Sequence, residues 1–204
     1  MTRRTLRPAT SRRPKASADS VTGGQGALTL HGVFVRVRGL GVLLSGASGV
    51  GKSELALELI ARGHRLIADD AADFRIERRR VVGRCPPLLR GFLEARSLGI
   101  LNVERLYGRK ALANQAPLDL IVRLDAPAPG DASGLERLSG RRELRMVLGL
   151  PIPEVSIPIR LGHNLAVLVE AACRDLEMRR RGYRADDDLS RRQLAAIQRS
   201  KPRS

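Results

Sequence analysis

Eight residues, GASGVGKS from Gly46 to Ser53, fit the pattern G-x-x-x-x-G-K-[ST]. Each suits a nucleotide phosphate. The stretch Gly46, Ala47, Ser48, Gly49, Val50 and Gly51 offers backbone N–H groups that can curl around phosphate oxygens. Lys52 adds a point charge for the β and γ phosphates, and Ser53 a hydroxyl for Mg²⁺. A helix running on from Lys52 would aim its positive end at the same anion. Asp69 and Asp70 close the apolar run Leu66-Ile67-Ala68, one helix further on. Such a site needs a carboxylate at a strand tip to hold or order the metal. Two in succession permit a division of labour. One can bind the metal or its water, and the other can accept a hydroxyl proton as general base. Asp125, which closes LIVRLD, competes for the strand-tip role. A switch that only hydrolyses nucleotide has no use for an alcohol-facing base, so the pair points toward phosphoryl transfer.

The elements that must position these residues follow from pattern. GVFVRVRG alternates apolar and polar residues and predicts a strand with one wet face. GVLLSG predicts a buried strand entering the glycine loop. In KSELALELIARG, Leu55, Leu59 and Ile60 share one helical face, and Gly63 follows as a C-terminal stop. HRLIADD is then a strand ending in acid. FRIERRRVVGRCPP predicts two short strands joined by a charged turn. LLRGFLEARSLGILNVERLYG predicts helical segments broken at glycine, which would place Glu94 and Arg96 on a helix. LDLIVRLDAP is a strand. Residues 126–145 read as an exposed loop, and EVSIPIRLG as a strand interrupted by proline, at a sheet edge. NLAVLVEAACRDLEMRRRG predicts an amphipathic helix, and DDDLSRRQLAAIQRS a last one.

Composition narrows the function classes. Hydrophobic residues make up 43% of 204, enough for a core, but aromatics are only 2% and Trp is absent. No apolar run approaches the ~20 residues that span a bilayer. Net charge is +16. Residues 1–26 hold six basic groups against one acid, and residues 174–204 ten against five. Much of the excess therefore sits at the two ends, as solvated surface and tail. Nucleic acid as a partner is disfavoured because no aromatics are interleaved with the basic groups for base stacking. The two cysteines form no CxxC pair and fit reduced thiols in the cytosol. Residues 1–27 are expected to be a disordered basic tail.

Several stretches, in order, resemble the catalytic domain of bacterial HPr kinase/phosphorylase: LHGVFV, GASGVGKSELALELIARGHRLIADD, FLEARSLGILNV and IPIRLGHNLAVLVEAA. The resemblance covers roughly residues 28–183, leaving 184–204 as a helical tail. It implies an α/β fold with a P-loop nucleotide-binding core, a mixed sheet and flanking helices, akin to phosphoenolpyruvate carboxykinase. The implied activity is phosphorylation of a serine on HPr, or an HPr-like phosphocarrier, by ATP with Mg²⁺. The implied reverse reaction uses inorganic phosphate and yields pyrophosphate. The resemblance also implies a homo-oligomer, a hexamer built by contacts between catalytic domains.

The resemblance also assigns residues. Asp70 would exchange the serine proton, Asp69 and Glu94 would join Ser53 at the metal, and Lys52 would bind ATP. His31 and Arg137 match active-site positions, and Arg96 belongs to the Glu-x-Arg segment. Arg160, Gly162, His163 and Asn164 fall in a segment tied to dephosphorylation. Many members carry a domain before the catalytic one, where this sequence shows only the basic tail. Ser97 stands where the family has glycine, which requires a backbone without positive φ. His163 stands where it has arginine, so a weaker phosphate clamp is expected. Two rival readings remain at this point: a P-loop kinase for a small metabolite, and a nucleotide-sensing regulator without turnover.

Overall fold

The computed structural model of the 204-residue chain describes residues 26–126, 140, 142–160 and 162–200. Eleven strands are described: β1 (Ala27–His31), β2 (Val33–Val37), β3 (Leu40–Gly46), β4 (Arg65–Ala68), β5 (Ala71–Glu77), β6 (Arg80–Arg84), β7 (Phe92–Ala95), β8 (Gly99–Asn102), β9 (Gln115–Asp125), β10 (Arg142–Val147) and β11 (Leu150–Pro158). With them come the helices α1 (Lys52–Ala61), α2 (Val103–Tyr107), α3 (Leu165–Arg180) and α4 (Ala185–Ser200).

The long strand β9 organises the molecule. One of its edges pairs parallel with β3, which continues antiparallel to β2 and then β4. Its other edge divides between two arms. Residues 115–117 pair antiparallel with β6, which leads to β5 and β1. Residues 121–125 pair parallel with β11, which carries β10. The result is one mixed sheet of nine strands that curls, with β7 and β8 as a separate hairpin.

The curl makes two cores. Val33, Val35 and Val37 of β2 join Val42 and Leu44 of β3 against α1 and α3. Phe34, Leu43 and Ile121 face the other way, into a second cluster with Phe74 and Ile152. Phe34 and Phe74 meet edge to face there, centroids 5.1 Å apart. The predicted wet face of β2 is therefore mostly a second core, because the sheet folds over it, and Arg36 alone on that strand is exposed.

Tight turns close the hairpins. The pairs Arg38-Gly39, Arg78-Arg79 and Leu148-Gly149 all have positive φ, the twist-matched geometry for two-residue connections. Two further expectations need correction. Glu94 and Arg96 do not lie on a helix. Residues 92–95 alternate exposed and buried as β7, and Arg96 is in the turn to β8. Second, the proline-rich strand is not at the edge, since β11 pairs with both β10 and β9. The proline of that stretch, Pro158, is the last residue in the ladder with β9, in register with Asp125, so it ends the pairing rather than interrupting it. Part of the expected loop 126–145 is strand β10. Among the described residues, no helix is long and apolar enough to cross a membrane.

Candidate active site

The parallel strands β3, β9 and β11 end side by side. Gly46 is in register with Leu124, and Leu124 with Ile157. The glycine loop, the chain after Asp125 and the segment after Pro158 all leave the sheet at this one edge. Crevices beyond the carboxyl ends of parallel strands are where ligands bind in α/β sheets.

Helix α1 starts from Gly51 (φ 96°) with no side-chain cap. Its first N–H groups, half of the helix-end anion site, thus face the loop without a side chain competing for them. Lys52 Nζ donates to the carbonyls of Gly46 (3.1 Å) and Ala47 (2.9 Å), which keeps its charge folded over the loop. Opposite stand the two aspartates, in contrasting settings. Asp69 is buried, 8% exposed. Its Oδ2 accepts from the Glu94 N–H (2.7 Å), and its Oδ1 lies 3.5 Å from the Ser53 hydroxyl. Burial pushes its carboxyl above the ordinary value, against the hydrogen bonds that favour the charged form. Asp70 is 86% exposed at the side chain. Its φ is +61°, and the Ala71 N–H bonds back to the Asp69 carbonyl (2.7 Å) across it. This tight γ-type turn is strained for any residue with a Cβ, and strain of this kind gathers at functional sites. It turns the second carboxylate out of the strand and into the open.

Lys52, Ser53, Asp69, Asp70, Glu94 and Arg96 line one open cleft with the glycine loop. His31 is not among the lining residues, yet its Nδ1 lies 3.8 Å from Asp70 Oδ1. The end of β1 places it there, since His31 is in register with Ala71. Asp125 is excluded from the cleft. Arg123 holds it at 3.1 Å and bridges it to the buried Glu154 at 3.0 Å. Glu54, in the first turn of α1, lines the cleft and was not expected. Its sequence signal was its place directly after Ser53.

The donor set suits a hard divalent cation: the Ser53 hydroxyl and the carboxylates of Asp69 and Glu94, all oxygen. A buried carboxylate whose ionised form is penalised gains from a neighbouring cation. Among the described residues no three His, Cys, Asp or Glu side chains form a metal cage.

A family model described as HPr Serine kinase C-terminal domain matches residues 26–193. The chain belongs to this family. HPr kinase/phosphorylase of Burkholderia lata is 49% identical over 171 residues, covering 83% of this chain and 52% of the relative. The Burkholderia cenocepacia protein of the same name gives the same figures. The chain thus spans about half the length of the curated relatives it matches. A solved structure of the Hpr(Ser) kinase/phosphatase from Coxiella burnetii aligns with TM-score 0.70 at 34% identity, covering 76% of this chain and 93% of that one.

Within this member of the HPr serine kinase C-terminal domain family, the remaining predicted residues are placed as follows. Arg96 reaches back over the loop, donating to Ser48 Oγ (3.1 Å). Its guanidinium presses on Gly49, where any Cβ would collide with it. Ser97 has no positive φ, so the glycine-to-serine departure is accommodated. Arg160, Gly162, His163 and Asn164 do not line the cleft. They form the turn from β11 to α3, where the His163 N–H bonds to the Arg160 carbonyl (3.2 Å). Asn164 caps α3, accepting from the Val167 N–H (3.0 Å). Arg137 lies outside the described residues.

Proposed function

We propose that this chain carries the catalytic part of an Mg-ATP-dependent protein serine kinase, acting on HPr or an HPr-like phosphocarrier. The same cleft would run the reverse reaction, in which inorganic phosphate takes the phosphoryl group and pyrophosphate leaves. The observation that carries the reading is the convergence of Asp70 with Lys52, Ser53, Asp69 and Glu94 around one loop. Family membership and relatives named for this chemistry support it.

The residues divide the work. Gly46 to Gly51 and the start of α1 hold the donor's phosphates, and Lys52 neutralises the terminal ones. Ser53, Asp69 and Glu94 hold the metal, which supplies charge neutralisation on the transferring group. Asp70 accepts the seryl proton as the seryl oxygen attacks, and returns a proton to the serine in reverse. His31, within ion-pair range, orients that carboxylate. Arg96, which lines the cleft, would stabilise the charge that spreads over the transferring oxygens. An exposed base at an open cleft suits a protein hydroxyl, which disfavours a small-metabolite kinase. On this reading the domain spans 28–183, its fold is akin to phosphoenolpyruvate carboxykinase, and the protein works as a cytoplasmic hexamer.

The test mixes the protein with ATP, Mg²⁺ and the HPr of the same organism. Phosphate should appear on a serine. Asp70→Asn should lower turnover ~10²–10⁴-fold while nucleotide still binds. Undiminished turnover in that variant would refute the assignment.

A further inference from the structure

A second concave site lies at the opposite end of α1 from the glycine loop, about 15 Å away along that ten-residue helix. It is lined by Arg36, Arg38, Gly39, Gly63, His64 and Arg65. Four separate pieces of chain meet there: strand β2, the β2–β3 turn, the α1–β4 link and strand β4. Arg36 and Arg65 are directly opposite each other across the β2–β4 ladder. Like charges in that relation destabilise a sheet.

Among the described residues no carboxylate pairs with them. Arg38 and Arg65 have no side-chain hydrogen bond or ion pair among the described residues, and Arg36 reaches only the Gly39 carbonyl (3.4 Å). The nearby carboxylate, Glu170 on α3, is already committed. It accepts two bonds from Arg62 (2.8 and 3.1 Å) and contacts His64 at 2.9 Å. The negative end of α1 does not account for the cluster either. The carbonyls of Glu58, Leu59 and Ile60 at that end already accept from the N–H groups of Arg62, Gly63 and His64. A Cβ at Gly39 or Gly63 would meet nothing within 4 Å, so both leave the floor of the concavity open.

We infer that Arg36, Arg38 and Arg65 form a binding site for a phosphate-type dianion, separate from the catalytic cleft. Guanidinium groups favour such oxyanions because they donate paired, charge-assisted hydrogen bonds. The ligand also removes the repulsion between Arg36 and Arg65, which gives the opposed pair a reason to exist. The site takes either free phosphate or the phosphate of a small phosphomonoester.

The probe is inorganic phosphate at low ionic strength, titrated by calorimetry into Lys52→Ala protein, whose cleft has lost its main phosphate-holding charge. Binding is expected. Adding Arg38→Gln and Arg65→Gln should weaken it by at least ~10-fold. In chloride alone, Arg65→Gln should raise the unfolding midpoint by removing the opposed charge, so lost binding is not lost folding. A parallel titration with glycerol phosphate identifies the source, and either order of affinity upholds the site. Equal phosphate affinity with and without the two arginines would overturn the inference. So would absence of binding to the Lys52→Ala protein, or tighter binding of a glutamate-rich peptide than of phosphate. None of these readouts involves HPr or phosphoryl transfer, so this inference and the kinase reading fail independently.

Discussion

Two neighbouring aspartates differ in environment more than in chemistry. Asp69 is buried, and burial raises its carboxyl above the ordinary 3.8. A raised value means that ionisation weakens the native state, so the penalty is present above the unfolded value and vanishes once acid protonates the group. Asp69→Asn keeps an oxygen for the Glu94 N–H but removes the charge. It should raise the thermal midpoint at pH 7, with the gap closing below about pH 3.8, while phosphoryl transfer is lost. Melting curves across pH, set beside the kinase assay, check both halves. His163 supplies a second residue-level prediction. If an arginine there clamps phosphate, His163→Arg should speed pyrophosphate release from phospho-HPr by about tenfold, leaving the kinase direction little changed. No gain would remove this turn from the phosphate path.

At the scale of elements, close approach matters more than propensity. Gly41 on β3 donates its N–H to the buried Asp119 (3.1 Å), and a Cβ there would strike the Pro117 carbonyl. That obstacle is backbone, which cannot swing aside as a side chain does. Gly41→Ala should therefore destabilise by about 1–3 kcal/mol in chemical denaturation. A change under 0.5 kcal/mol, the usual surface scatter, would mean that β3 and β9 can spread. The β7–β8 hairpin shows how an element can be misread. FLEARSLG resembles a helix by composition, since Leu, Glu, Ala and Arg are helix formers. Its side chains nonetheless alternate exposed and buried from Phe92 to Ala95. Packing against the core through Leu93 and Ala95 overrides the local preference, and the strand delivers the Glu94 N–H to Asp69.

Across the whole molecule, ion pairs stitch elements far apart in sequence. Asp119 sits where the sheet divides and binds Arg80 of β6 (3.0 Å) and Arg180 of α3 (2.9 Å). Glu170 ties α3 to the α1–β4 link through Arg62 and His64. Those two partners hold its carboxyl at about 2, below the ordinary 4.5. A lowered value contributes stability that is present above 4.5 and lost as pH falls toward 2. Glu170→Gln should thus melt below wild type at neutral pH, and the two curves should converge over that acid window. Added salt should narrow the difference, because the cluster is partly exposed. A constant gap down to pH 2 would assign Glu170 a packing role instead.

The sequence alone was enough for the glycine loop, helix α1 with its buried Leu55, Leu59 and Ile60, and the strand that ends at Asp69 and Asp70. These depend on interactions within a few residues, and local periodicity records them directly. Only the tertiary structure decided what depends on pairing between distant segments. It set Arg123 on Asp125 and so kept that carboxylate from the cleft. It made a second core of the face of β2 that looked wet, and set Arg36 against Arg65. Register and sheet curl are non-local, and a strand's pattern shows which residues are apolar without saying which neighbour will cover them.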